Sequence, residues 1–105
     1  MGNAYDISFE LETFIRRKYK NCIYCGIKLK NSKKNYHDKA TIEHIDNIVR
    51  HRTKDNLAMC CNSCNASKGK LPLWNWLRKG YCIKKDVKTE MAPIARNFLR
   101  KHRPK

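Results

Sequence analysis

Two Cys-x2-Cys pairs, Cys22/Cys25 and Cys61/Cys64, are separated by 35 residues. Two-residue spacing lets one turn present both sulfurs to the same ion, and four soft thiolates suit tetrahedral zinc. A closed set of four leaves no position for substrate, so such an ion would be structural, clamping a chain whose own core is modest. Cys60 leaves an alternative open, because Cys60 and Cys64 form a Cys-x3-Cys pair. Between the pairs stand Glu43-His44 and, twelve residues after the histidine, Asn56-Leu57; the second pair runs into Asn65 and then Lys68-Gly69. Phosphodiester hydrolysis needs an activated water and charge stabilisation on the phosphate, which a neutral imidazole and a divalent ion can supply. Taken singly, Glu43 and His44 read as surface residues, Asn56 as turn chemistry and Lys68-Gly69 as a helix ending.

The elements that must position these residues follow from periodicity. Ile7, Leu11, Phe14 and Ile15 make one apolar stripe, which predicts a helix over Asp6 to Tyr19, capped by Asp6 or Ser8 and ending in Arg16, Arg17 and Lys18. Gly26 closes the first knuckle, and residues 28–40 are polar and read as a loop. Thr41 to Ile45 alternates and predicts a strand, answered by Leu57 to Cys60 as the returning strand of a hairpin. Adjacent in an extended strand, Glu43 and His44 point to opposite faces, so joint use would require a bend at the strand's end. A helix is expected from Cys64 or Asn65 to Gly69, another from Pro72 through Leu73, Trp74, Trp76 and Leu77 to a stop at Gly80. Trp74, Trp76 and Leu77 are expected in the core rather than at a subunit interface. A last helix from Pro93 would turn Ile94, Phe98 and Leu99 inward and Arg96, Arg100 and Lys101 outward.

The ordered set Cys-x2-Cys, Glu43-His44, Asn56-Leu57, Cys-x2-Cys-Asn65-x2-Lys68-Gly69 resembles the HNH endonuclease family over about residues 22–69. That resemblance implies an α+β fold, a ββα-metal core with a four-cysteine zinc site and flanking helices at both ends. It selects Cys61 over Cys60 through the spacing from Asn56, leaving Cys60 and Cys82 as small buried hydrophobes. It implies that His44 activates the attacking water, Glu43 and Asn65 ligate a catalytic Mg²⁺ or Mn²⁺, and Asn56 orients the loop and the histidine. Cleavage would then leave a 5′-phosphate and a 3′-hydroxyl. Glu43 stands where relatives commonly have aspartate, and the Pro and Gly-Gly that often follow the histidine are replaced by Asp46-Asn47-Ile48-Val49-Arg50-His51.

Composition points the same way. The 105 residues, read as a single domain, carry 24 basic and 9 acidic side chains, a net charge of +15. Residues 16–34 hold eight basic side chains and no acid, and residues 82–105 hold eight against two. Such a balance favours a polyanion, and Arg50, Arg52, Lys68 and Lys70 are expected to meet nucleic-acid phosphate, with His51 beside them. Double-stranded DNA is the expected partner, with a homodimer as one route to cutting both strands. A catalytically inactive zinc-stabilised DNA-binding module is the alternative function. No apolar run approaches the roughly 20 residues that span a bilayer, and the first residues fit neither a secretory signal nor a myristoylation pattern. An intracellular, cytoplasmic protein of a bacterial or phage-like host is expected, where close cysteine pairs act as metal ligands rather than disulfides.

Overall fold

A computed structural model of the chain describes residues 7–102. Its centre is an antiparallel hairpin of β1 (Ala40–His44) and β2 (Leu57–Cys61), with Ile42 opposite Met59, Glu43 opposite Ala58 and His44 opposite Leu57. Paired residues share a face, so the register sorts the hairpin into two sides. Ile42, Leu57 and Met59 pack with Ile7 and Ile15 beneath α1 (Phe9–Lys18). Ala58, Cys60 and the following Ile45 pack instead with Tyr24, Trp76 and the carboxy-terminal helices. Every residue of β2 is buried, because both faces of this strand are covered.

The amino-terminal helix starts later than its stripe predicts. Ser8 caps it, its hydroxyl accepting from the Leu11 amide at 3.1 Å; Asp6, the other expected cap, lies outside the described residues. Phe14, expected in the stripe, is exposed, and the Lys54 ammonium sits over its ring at 4.3 Å. The stripe narrows to Ile7, Leu11 and Ile15 because the two-stranded sheet beneath is narrow.

The polypeptide after β2 turns directly into α2 (Asn62–Lys68), two or three residues before the start expected at Cys64 or Asn65. The reason is a thiol cap: Cys61 Sγ accepts from the Cys64 amide at 3.3 Å. Gly69 ends the helix at φ +52°, a conformation that favours glycine. Pro72 precedes α3 (Leu73–Trp76), in which Trp76 meets Tyr24 edge to face at 4.9 Å and donates through Nε1 to Ser67 Oγ at 3.0 Å. Trp76 and Leu77 are core residues and Trp74 is half-buried. Gly80 is not a stop; it opens α4 (Gly80–Lys85), followed across Asp86 at φ +54° by α5 (Val87–Glu90). These two short helices carry little periodicity of their own and form because Cys82, Val87 and Met91 bury against the core. The last helix, α6 (Pro93–Lys101), buries Ala95 and Leu99 and leaves Ile94 and Phe98 half-buried. No helix among the described residues is long and apolar enough to cross a membrane.

Candidate active site and metal centre

The first knuckle is tied into the hairpin by its backbone: Ile23 N–H donates to the Met59 carbonyl at 3.2 Å, and the Ala92 amide donates to the Ile23 carbonyl at 2.7 Å. Gly26, at φ +81°, lets its amide turn back to the Cys22 carbonyl at 3.0 Å. Cys61 ends β2 and Cys64 sits in the first turn of α2, so strand, helix and knuckle converge. The ligand atoms of Cys22, Cys25, Cys61 and Cys64 all lie within 4.8 Å of one another, the only such metal-capable group of His, Cys, Asp or Glu found among the described residues. Cys25 Sγ and Cys61 Sγ are 3.7 Å apart. A zinc–sulfur bond of about 2.3 Å implies a tetrahedron edge of about 3.8 Å, so the cluster is compatible with zinc. Hydrogen bonds from the Tyr24 and Cys25 amides to Cys22 and from the Tyr81 hydroxyl to Cys64 favour thiolate. The crowded thiols hold their protons unequally: Cys22 and Cys25 lie below the ordinary value, Cys25 chiefly through Cys22, whereas Cys61 and Cys64 are pushed above it, each chiefly by Cys22. Cys60 points to the other side of β2, 3.3 Å from Thr41 Oγ1, and Cys82 is buried elsewhere in the core.

The Glu43–His44 pair is split by the pleat. β1 continues through His44 without a bend, and Ile45 N–H still bonds the Asn56 carbonyl at 3.0 Å. Glu43 is 5% exposed, and its Oε2 accepts from the Tyr24 hydroxyl at 2.5 Å and pairs with Lys68 Nζ at 3.1 Å. Lys68, expected to meet phosphate, is 1% exposed and lies in the core, donating also to the Ile45 carbonyl at 3.3 Å and to Asn47 Oδ1. The reason is its helical position: on the last turn of α2 it faces β1, and a buried ammonium is held where carboxylate and carbonyls surround it. Asn65, one turn earlier, is half-buried, and its carboxamide enters none of the hydrogen bonds among the described residues. His44 shares the face of Leu57 and is 5% exposed. Burial is the chief cause that lowers its pKa; Arg52 and Lys68 act in the same direction and Asp46 opposes them. The imidazole is therefore neutral near pH 7.

Asn56 holds the loop between the strands. Its Oδ1 accepts from the Asp46 amide at 3.0 Å, and its Nδ2 donates to Asp46 Oδ1 and to the His51 carbonyl, both at 2.9 Å. Asp46 also takes His51 Nδ1 on its other oxygen at 2.6 Å. Burial pushes the Asp46 carboxyl up, but the hydrogen bonds from His51, the Ile48 amide and Asn56 outweigh it and hold the group below its usual value. Arg50, Arg52 and Lys70 are exposed around this loop. Spacing did not reveal Asn47 or Tyr24. Asn47 takes φ +66° and ties the loop to the segment after α2 through Lys70 and Leu71 carbonyls; the Asp46-Asn47 turn signal is the trace it leaves in the sequence. Tyr24 sits at a spacer position of the knuckle, where no spacing rule marks it.

Residues 22–71 match the family model of the HNH endonucleases. This segment belongs to the HNH family. Comparison with curated proteins and with solved structures returns no match. The HNH segment thus comprises the hairpin, the cysteine cluster, α2 and the start of the linker beyond it, while α1 and α3 to α6 lie outside. A family of nucleases that acts on DNA accords with a chain of charge +15.

Proposed function

We propose that the protein is a divalent-metal-dependent nuclease that hydrolyses phosphodiester bonds of DNA, with zinc as the structural ion of the cysteine cluster. The reading is carried by His44, a buried imidazole kept neutral at the end of β1 inside a segment of HNH family. His44 takes a proton from the attacking water, and the resulting hydroxide forms a bond to phosphorus as the bond to the 3′-oxygen breaks. The departing alkoxide takes a proton from solvent, leaving a 5′-phosphate and a 3′-hydroxyl. Asn56 is the positioning residue, holding the loop that follows His44. Glu43 and Asn65 offer a carboxylate and an amide oxygen, a donor set of the kind Mg²⁺ or Mn²⁺ takes. Bound there, the ion supplies charge stabilisation on the phosphate and on the leaving oxygen. Arg50, Arg52 and Lys70 hold the strand by its phosphates, and the ββα unit lies in the minor groove of a duplex. One such site cuts one strand, so cutting both requires a second copy or a second visit.

Two observations favour the alternative, a zinc-stabilised DNA-binding module without catalysis: β1 runs unbent through His44, so Glu43 and His44 point to opposite faces, and the carboxylate is already paired. Glu43 already has a cation, the Lys68 ammonium, on Oε2, and an incoming ion must either use the other oxygen or displace Lys68. Plasmid DNA incubated in Mg²⁺ or Mn²⁺ separates the two readings. Wild type is expected to nick, and His44→Ala to lose about a hundred- to ten-thousand-fold in rate. Equal products, or none, from both proteins would reject the nuclease. RNA in a parallel reaction tests the choice of DNA.

A further inference from the structure

The flanks outside the HNH segment build a cleft that the proposed chemistry does not use. The end of α1 and the exposed side of α6 enclose about 440 Å³, floored by Tyr19, Ile94 and Phe98 and edged by Lys18, Lys54 and Lys101. Ile94 and Phe98 on α6 and His102 at its C-cap recur every four residues beside the buried Ala95 and Leu99. Phe98 and His102 face each other with ring centroids 4.4 Å apart. A second groove of about 450 Å³ runs past Arg50, His51, Arg52 and Asn56 at the HNH loop. Asp55, Phe98 and His102 line both, so the two grooves meet at the ring pair. Asp55, an acid common to both, accepts from the Thr53 hydroxyl.

Charge and shape choose the occupant. Lysines along an apolar, aromatic floor suit a polyanion that also offers flat rings, which is a nucleic-acid strand with its bases unpaired; in a duplex the bases stack on each other and leave the ring pair nothing to cover. We propose that an unpaired segment of the DNA runs from the HNH loop over Phe98 and His102 into the α1–α6 cleft, its bases against Tyr19 and Phe98 and its phosphates against Lys18, Lys54 and Lys101. The inference rests on the reading of DNA as substrate, but not on cleavage.

Its test is therefore equilibrium binding without added Mg²⁺ or Mn²⁺, by fluorescence anisotropy. The probes are a labelled duplex with a single-stranded overhang and the same duplex with blunt ends. Wild type is expected to bind the overhang more tightly. Lys101→Glu, an exposed change, should weaken overhang binding about tenfold and leave blunt-duplex binding within about twofold. Phe98→Leu keeps an apolar side chain on the core but removes the stacking face, and should lower overhang affinity several-fold, up to about tenfold, while blunt-duplex binding stays within about twofold. Equal affinity for both probes, or equal loss on both from each variant, would overturn the cleft and leave only diffuse electrostatic attraction. A protein that never cuts but still discriminates the overhang would retain this inference while losing the nuclease; a cutter blind to the overhang would do the reverse.

Discussion

The four-cysteine cluster and the Glu43–His44–Asn65 set both draw on the hairpin and on α2, the cysteines through β2 and the other set through β1, but they are assembled on different terms. The cysteines need only one another: four identical soft donors, gathered by two short turns, close around a single point. The second set combines a carboxylate and an imidazole on opposite faces of β1 with an amide on α2, and the structure gives the carboxylate to a lysine. The two are mechanically joined, since Cys64 and Asn65 are neighbours on α2. Whatever seats Cys64 at the metal centre also sets the height of Asn65 above β1. A closed site therefore supports an open one, and the open one has alternatives within reach of its own side chains.

Breaking the closed site should have the largest effect. Chelating the zinc proposed for the cysteine cluster, or replacing Cys61 by Ala, is expected to unfold the HNH segment. Structural zinc contributes about 10–16 kcal/mol in small domains. Cys60→Ala should cost only about 1 kcal/mol. Circular dichroism with metal analysis checks the pair, and equal loss from both would show that the wrong cysteine has been assigned.

Lys68 sharpens the comparison from the other side. Lys68→Ala leaves the Glu43 carboxylate buried without its partner, a change that costs about 3–5 kcal/mol. If a divalent ion reaches Glu43, millimolar Mg²⁺ should restore much of that stability in the variant and little in wild type. Thermal melts with and without Mg²⁺ read this, and a variant indifferent to Mg²⁺ would remove Glu43 from the ligand set.

Asn56→Ala comes next, at about 1–3 kcal/mol, because it strips the Asp46 amide and the His51 carbonyl of their buried partner. Its nicking rate should fall while its cysteine site still holds metal. Loss of that metal would mean the loop and the knuckles fold as one unit.

The smallest effect is on pH. His44 binds its proton less readily in the folded protein than in the unfolded chain, so acid favours unfolding through this group. Stability is full above the ordinary histidine value of about 6.5 and declines as pH falls below it, towards the lower folded value. The same shift should put the acid limb of the nicking profile below about 6.5. Asp46 has the opposite origin and a lower window: its contribution is present above about 3.9 and lost as pH falls through its depressed folded value. A His44→Gln protein whose stability shows an unchanged slope near pH 6 would shift the effect to another group.

How far the sequence could be read varies by element. The first strand was visible because alternation and β-branching survive in its five residues, β2 only as the partner that strand requires, and α6 because proline opens an amphipathic run. The cysteine quartet was visible because its spacing is itself the geometry. Helices α4 and α5 were missed, since their residues are helical only through burial against Trp76 and Tyr24 and through the left-handed turn at Asp86. Lys68 was misjudged for a similar reason: a lysine one turn after a ligand position looks solvent-bound until the strand opposite is known to carry a buried carboxylate.

Residue type and spacing alone marked the metal-capable quartet, because its donor set admits few substitutes, and the resemblance carried by those motifs supplied the family and the α+β fold class. Which partner Glu43 takes, which face His44 occupies and how the flanking helices meet were matters for folding. They depend on strand register and on helices brought together from distant parts of the chain, and a single-residue slip in that register would reverse the faces of Glu43 and His44.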